Sequence, residues 1–334
     1  VSGEHPTNLD QFPWPAVHSL GIVRTSLPRV VAGRATTAAL MWLAWRRKVG
    51  VVHVHFGYLL GEVLGAARRM GLPVVVSMHG HDVTAPLRSD PGRYAGELDR
   101  VDAVIVPSHF LAAGAVALGA PTDRVHVIPA GVDTDRFTPS PLPEGPPEAL
   151  FVGRFVEKKG IEVLMAAWPE VRRRLPAARL RVLGYGPLAD LVRGPGVERE
   201  LEPSHDRVRA AIGAATVVVS PSRTGGDGDA ESLLLVNLEA QASGRAVVTT
   251  DHGGIPEFVH AGETALVVPE ADPAALADAL TALLGDRALA TRFGAAGPSV
   301  AARFDLRHSA ARVDDLYDSL VSARRRPRSR RRDG

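Results

Sequence analysis

Residues Thr216–Ser220 read Thr-Val-Val-Val-Ser, and Pro221–Gly228 read Pro-Ser-Arg-Thr-Gly-Gly-Asp-Gly. Residues Asp229–Gly244 follow as Asp-Ala-Glu-Ser-Leu-Leu-Leu-Val-Asn-Leu-Glu-Ala-Gln-Ala-Ser-Gly, and Ala246–Thr250 as Ala-Val-Val-Thr-Thr. The two short runs rich in valine suit strands buried on both faces. The glycines supply a loop, and the apolar spacing over Leu233–Ser243 predicts a helix. Strand, crossover helix and strand make a parallel βαβ unit.

The same alternation runs outward from this unit. Upstream, strands are expected at Gly50–His55, Pro73–Met78, Ala103–Pro107, Ala149–Gly153 and Arg179–Gly184, with helices at Leu60–Met70 and Ile161–Leu175. Downstream, Thr264–Val268 is another strand. Between the two series lies Pro139–Pro147, with five prolines in nine residues. Such a segment forms neither helix nor central strand, so it reads as a semi-rigid linker. The fold expected is α/β: two Rossmann-like, doubly wound parallel-sheet domains facing a cleft. In such sheets ligands bind beyond the carboxyl ends of the strands.

A chain of 334 residues is long enough for two cores. Hydrophobic residues make up 45% and charged residues 23%, an ordinary globular mix. No apolar run is long enough to cross a bilayer, and Val1–Gln11 shows no signal-peptide pattern. The absence of cysteine excludes disulfides, thiolate nucleophiles and Cys-based metal sites. The net charge is +2, but Arg324–Gly334 holds seven Arg and one Asp; removing that +6 leaves −4. A mildly acidic body argues against a nucleic-acid partner. The tail reads as a solvated, disordered end that has the charge to touch anionic lipid. The segment Val30–Lys48, ending Arg46-Arg47-Lys48, reads as a core helix, with a membrane-surface helix as the alternative.

Within Asp229–Gly244, Glu231 and Glu239 flank the expected helix start. The amides of Ser232, Leu233 and Leu234 would point outward there and suit a phosphate. Two carboxylates beside that site suit sugar hydroxyls. A first-turn Glu and a second Glu on a solvated face would give the same pattern.

Other motifs stand in a fixed order around this stretch. They are His79-Gly80-His81-Asp82-Val83, Ile128-Pro129-Ala130-Gly131-Val132-Asp133, and Val152-Gly153-Arg154 with Lys158-Lys159-Gly160. Leu183-Gly184-Tyr185-Gly186-Pro187, Ser220-Pro221-Ser222 and Gly253-Gly254-Ile255-Pro256-Glu257 complete the set. Together with the pair Glu231-x7-Glu239, they resemble the GT4 glycosyltransferases of the GT-B fold. That resemblance implies a retaining transfer of sugar from a nucleoside-diphosphate sugar to an acceptor hydroxyl. It implies polysaccharide or glycoconjugate synthesis, with an acceptor that is lipid-linked or a polysaccharide, at the cytoplasmic side with peripheral membrane contact. No cofactor and no divalent metal are expected.

By the same resemblance, Arg154 and Lys159 hold the donor diphosphate, Glu231 contacts the transferred sugar, and Glu239 holds the ribose. His79 lies against the donor sugar near the reacting carbon. Gly253 and Gly254 let backbone approach the sugar-phosphate, and Gly184 belongs to the donor site. Ser232 stands where the family has Gly, and Ala130 where it has Asn. The domains implied are 1–142 on the acceptor side, 143–305 for the donor, a C-terminal helix over 306–323 and the tail 324–334. The family's opening strand and Gly-rich turn are not found before Val51, so the first domain is expected to lack its opening βα unit.

Two rivals remain at this stage. One is a sugar-nucleotide-binding partner protein with impaired catalysis. The other is an NAD-dependent oxidoreductase, because Gly184-Tyr185-Gly186-Pro187-Leu188-Ala189 fits G-x-G-x-x-A with Glu202 downstream.

Overall fold

The computed structural model describes residue 38 and residues 41–325. The expected irregular stretch Val1–Pro28 and residues 326–334 of the tail lie outside the described residues. Of the segment Val30–Lys48, residues 41–46 are helical. Trp42 and Trp45 are exposed there, with the Arg46 guanidinium 5.1 Å over the Trp42 ring. The core helix expected from that segment is therefore not core in its described part.

The first sheet contains β1 (Val52–His55), β2 (Val74–Ser77), β3 (Ala103–Val106) and β4 (Val125–Val127), ordered β1-β2-β3-β4. Its pairings are all parallel. The crossovers carry α1 (Leu60–Arg69), α2 (His81–Ser89) and α3 (His109–Ala117). Strands β2 and β3 are buried along their whole length, which is why they appear in the sequence as unbroken apolar runs.

The second sheet contains β5 (Glu148–Arg154), β6 (Arg179–Tyr185), β7 (Val197–Leu201), β8 (Val217–Ser220), β9 (Ala246–Thr250) and β10 (Ala265–Val268). Their order is β10-β9-β8-β5-β6-β7, again parallel throughout. Its helices are α4 (Ile161–Arg174), α5 (His205–Ala214), α6 (Leu235–Ala242), α7 (Pro273–Gly285) and α8 (Arg287–Ala302). The chain runs outward from β5 to β7, then returns to the other side of β5 to lay down β8. Strands β5 and β8 therefore form the topological switch point, where loops diverge and a crevice opens. Phe151, Phe155, Leu164, Trp168 and Val217 fill the core on one face of this sheet.

Residues 138–147 carry no helix or strand, and the fully buried Arg245 anchors them. Its guanidinium donates to Ser140 O at 3.0 Å, Pro141 O at 3.1 Å and Gly213 O at 2.8 Å. The proline-rich segment is thus fixed to the second domain. Helix α9 (Leu306–Arg325) follows a second crossing, where Leu306 N donates to Val132 O at 2.9 Å. Through Leu316, Val313 and Leu320 it packs on Val75, Ala103 and Ile105 of the first sheet. No described helix is long and apolar enough to cross a membrane.

Candidate active site at the switch point

Strand β5 ends at Gly153-Arg154, and a 3-10 turn at Glu157–Lys159 follows. Gly160 closes that turn at φ +65°, where a Cβ would lie 1.8 Å from Pro221 O. Only glycine allows the loop after β5 to seat on the loop after β8. This contact aims Lys158 and Lys159 across the switch point. Lys159 Nζ lies 2.8 Å from Glu231 Oε1, and Lys158 Nζ lies 3.6 Å from the same oxygen and 2.8 Å from Asp229 Oδ2. All four side chains are largely buried, so water screens these pairs weakly.

The segment carrying Glu231 is held from both sides. Its N–H donates to His252 Nε2 at 3.1 Å, and His252 Nδ1 lies 3.2 Å from Glu270 Oε2. Burial lowers the pKa of His252, although Glu270 and Glu231 oppose the shift. A neutral ring that accepts at Nε2 keeps its proton on Nδ1, facing Glu270. From the first domain, Thr84 Oγ1 accepts from Ala230 N at 3.1 Å, and Ser232 Oγ donates to His79 O at 3.0 Å.

These tertiary bonds correct the expected helix start. Helix α6 begins at Leu235, with Leu234 as an extended N-cap. Ser232, Leu233 and Leu234 precede the helix and do not form its first turn. Glu239 consequently sits one turn into the helix. The amides of Leu233, Leu234 and Leu235 still make no hydrogen bond to any described residue. A buried network fixes the helix head: Ser220 Oγ lies 2.7 Å from Asn237 Oδ1 and 3.0 Å from Thr249 Oγ1.

Gly253 and Gly254 have a role in this chain that the resemblance did not convey. A Cβ on Gly253, at φ +55°, would lie 2.1 Å from Glu231 O, and one on Gly254 would lie 2.2 Å from Ser232 O. They let two backbone segments touch, and Gly254 N donates to Glu231 O at 3.0 Å. Gly184 does the same between β6 and β5, where a Cβ would meet Gly153 O at 1.8 Å.

The expected basic pair of Arg154 and Lys159 is divided. Lys158 is the second cation beside Glu231, whereas Arg154 is exposed and has no ion pair among the described residues. Arg154 lines a separate hollow of about 440 Å³ with Gly153, Gly184, Tyr185, Glu202 and Pro203. Glu239 also stands apart: its carboxylate has no hydrogen bond or ion pair among the described residues. Burial pushes its pKa up to about 7, against a modest pull from Arg136.

The first domain presents imidazoles to this region. His79 leaves β2 beside His55, with His55 Nδ1 and His79 Nε2 3.1 Å apart. Burial lowers both pKa values; Asp82 pulls the other way on His79. Buried Asp82 orders the loops by accepting from Gly57 N at 2.9 Å, His79 N at 2.8 Å and Gly80 N at 3.1 Å. His53 is structural: Nε2 meets Ser77 Oγ at 2.8 Å, Nδ1 meets the Tyr317 hydroxyl of α9, and burial brings its pKa down to about 4. Asp82, Asp229, His252 and Glu270 were not singled out as site residues.

Comparison with known proteins gives the same assignment. The description "Glycosyltransferase Family 4" matches residues 1–136, and "Glycosyl transferases group 1" matches residues 146–286. The chain belongs to the GT4 glycosyltransferases. It is 34% identical over 255 residues to a protein named for colanic acid biosynthesis glycosyltransfer in Escherichia coli. That match covers 70% of this chain and 61% of the relative's length. It is 32% identical over 296 residues to a Mycolicibacterium smegmatis protein named GDP-mannose-dependent alpha-(1-6)-phosphatidylinositol monomannoside mannosyltransferase. There the coverage is 80% of this chain and 75% of the relative. Among solved structures, the Anabaena protein HepE in complex with UDP-glucose superposes with TM-score 0.71 at 16% identity. It covers 85% of this chain and 82% of that one, and shows the GT-B fold.

The architecture also weakens the oxidoreductase rival. A dinucleotide fingerprint must open a helix whose N-terminus holds the pyrophosphate. Here the turn at Gly184 leads only to a 3-10 turn, Ala189–Leu191.

Proposed function

We propose that the chain moves a sugar from a nucleoside-diphosphate sugar to an acceptor hydroxyl, with retention, in polysaccharide or glycoconjugate assembly. The observation that carries this reading is the Lys159–Glu231 pair at the β5/β8 switch point, beside the unbonded amides of Leu233–Leu235. The resting pair keeps a cation and a carboxylate ready in one small volume. When the donor enters, Lys159 turns from Glu231 to the diphosphate, and Glu231 is released to accept from a sugar hydroxyl. Arg154 is free to join it. Cations fixed where negative charge grows favour the transition state over the bound substrate.

In the step itself, the bond from the anomeric carbon to the diphosphate oxygen breaks, and the diphosphate keeps the electron pair. The acceptor oxygen bonds to that carbon on the same face, and its proton passes to a diphosphate oxygen. Neutral His79 stands against the sugar and contributes hydrogen bonding without charge. Glu239, unpaired, receives the ribose hydroxyls. Among the described residues, no group of three or more His, Asp or Glu is placed to hold a metal. We propose that lysine and arginine supply the charge and that no divalent metal is required. We propose that the enzyme works at the cytoplasmic face of a membrane, in peripheral contact with it, on a lipid-linked or polysaccharide acceptor.

The test is incubation with nucleoside-diphosphate sugars in EDTA, with proton NMR of the anomeric coupling in the product. An axial donor giving an axial product is the expected result. An inverted product, or turnover that needs added manganese, would overturn the respective claim.

A further inference from the structure

The fold alone leaves the nucleobase open. The M. smegmatis relative is named for GDP-mannose, whereas the HepE structure holds UDP-glucose. The hollow beyond the carboxyl ends of β5 and β6 is more specific. Arg154 stands in it at the end of β5, and Tyr185, 55% exposed, offers a ring face. Gly153 and Gly184 also line it, at the ends of β5 and β6.

One polar group on the wall stands out. Glu202 immediately follows β7 at φ +51°, a conformation costly for any residue but glycine. Its N–H donates to Gly184 O at 3.2 Å, which ties it to the end of β6, and Pro203 beside it lines the same hollow. The carboxylate has no hydrogen bond or ion pair among the described residues. Glu200, two residues earlier, is paired with Arg207 at 2.8 Å. A positive-φ backbone thus places an exposed, unpaired, acceptor-only group in the wall of the hollow.

We propose that Glu202 reads the nucleobase and that the donor is a guanosine-diphosphate sugar. A carboxylate offers two parallel acceptors and no donor. Among the common bases, only guanine presents two adjacent donors, N1–H and the 2-amino group, to match it. Uracil offers one N–H between two carbonyl oxygens, which the carboxylate would repel. Adenine and cytosine each set an amino group beside a ring acceptor. Matched charge-assisted pairs of this kind are short and specific. With the base at Glu202, the Arg154 guanidinium in the same hollow is available to the diphosphate. This inference rests on the donor-site reading above and narrows it to one base.

The experiment is calorimetric titration of the whole chain with GDP, IDP, UDP and ADP, repeated on Glu202→Gln and Glu202→Ala. IDP differs from GDP only in lacking the 2-amino group. The expected order is GDP tightest, with IDP and UDP each weaker by about tenfold or more, the worth of one charge-assisted hydrogen bond. In Glu202→Ala the gap between GDP and IDP closes, while UDP affinity stays level or rises. Tighter binding of UDP or ADP than GDP would overturn the assignment and leave the donor site standing. So would a GDP preference that survives Glu202→Ala. Absence of binding by all four nucleotides would overturn the donor-site reading itself, and this inference with it.

Discussion

The two walls of the cleft differ in kind. On the second-domain wall, Lys158, Lys159, Asp229 and Glu231 form ion pairs in a largely buried group. On the first-domain wall, His53, His55 and His79 stack near Phe56, and burial lowers the pKa of all three imidazoles. One wall is preorganised charge and the other is neutral polar and aromatic surface. A diphosphate needs the first, because its charge grows during bond breaking. A sugar needs the second, because its hydroxyls carry no charge and its ring packs on flat apolar faces. The same architecture, a parallel sheet ending in loops, supplies both, and the difference comes from the side chains at the strand ends.

The largest expected effect breaks the charged wall. Lys159→Met removes the cation nearest Glu231, and release of nucleoside diphosphate from the donor should slow by about 10²–10³-fold. Steady-state turnover at saturating donor measures it. A loss below tenfold would mean that Lys158 and Arg154 suffice. The next variant loosens the neutral wall. Asp82→Ala strips three backbone N–H groups of their acceptor and should cost about 3 kcal/mol of stability, read from the denaturant midpoint. Asp82→Asn, which keeps an acceptor oxygen, should recover part of that loss.

The smallest effect concerns the carboxylate that neither wall pairs. The pKa of Glu239 is about 7 in the folded chain against an ordinary 4.5. The folded chain therefore holds this proton more tightly than the unfolded chain does. Stability contributed by the group falls as pH rises from about 4.5 to about 7 and is level above that. Glu239→Gln, which cannot ionise, should match the parent chain near pH 4.5 and exceed it by about 1–2 kcal/mol at pH 8, after allowance for partial exposure. Thermal midpoints at the two pH values test this; an advantage at pH 4.5 alone would have the wrong sign.

Strands buried on both faces were legible because burial leaves an apolar run, as in Val74–Ser77 and Val217–Ser220. Strands β4 and β7 were not. Both lie at sheet edges, and β7 reads Val-Glu-Arg-Glu-Leu with Glu198 and Arg199 exposed. The start of α6 was placed early because Leu233 and Leu234 fit the helical spacing. Bonds to Thr84, His79 and His252, none of them local, hold 230–232 outside the helix instead. Lys159 and Glu231 could be singled out from motif order. Asp82 and the His252–Glu270 pair could not, since their roles exist only once distant loops meet. The resemblance implies that Gly253 and Gly254 let backbone approach the sugar-phosphate; contact between two protein backbone segments is a further reason, visible only in the fold.

The proposed donor site requires Glu239 to hold the ribose, and nucleotides without ribose hydroxyls probe that contact. GDP and UDP would each be titrated against the 2′,3′-dideoxy counterpart, on the parent chain and on Glu239→Ala. Losing the ribose hydroxyls should weaken binding to the parent chain by about tenfold or more and leave Glu239→Ala nearly indifferent. An equal penalty in both chains, or no penalty in the parent, would contradict it.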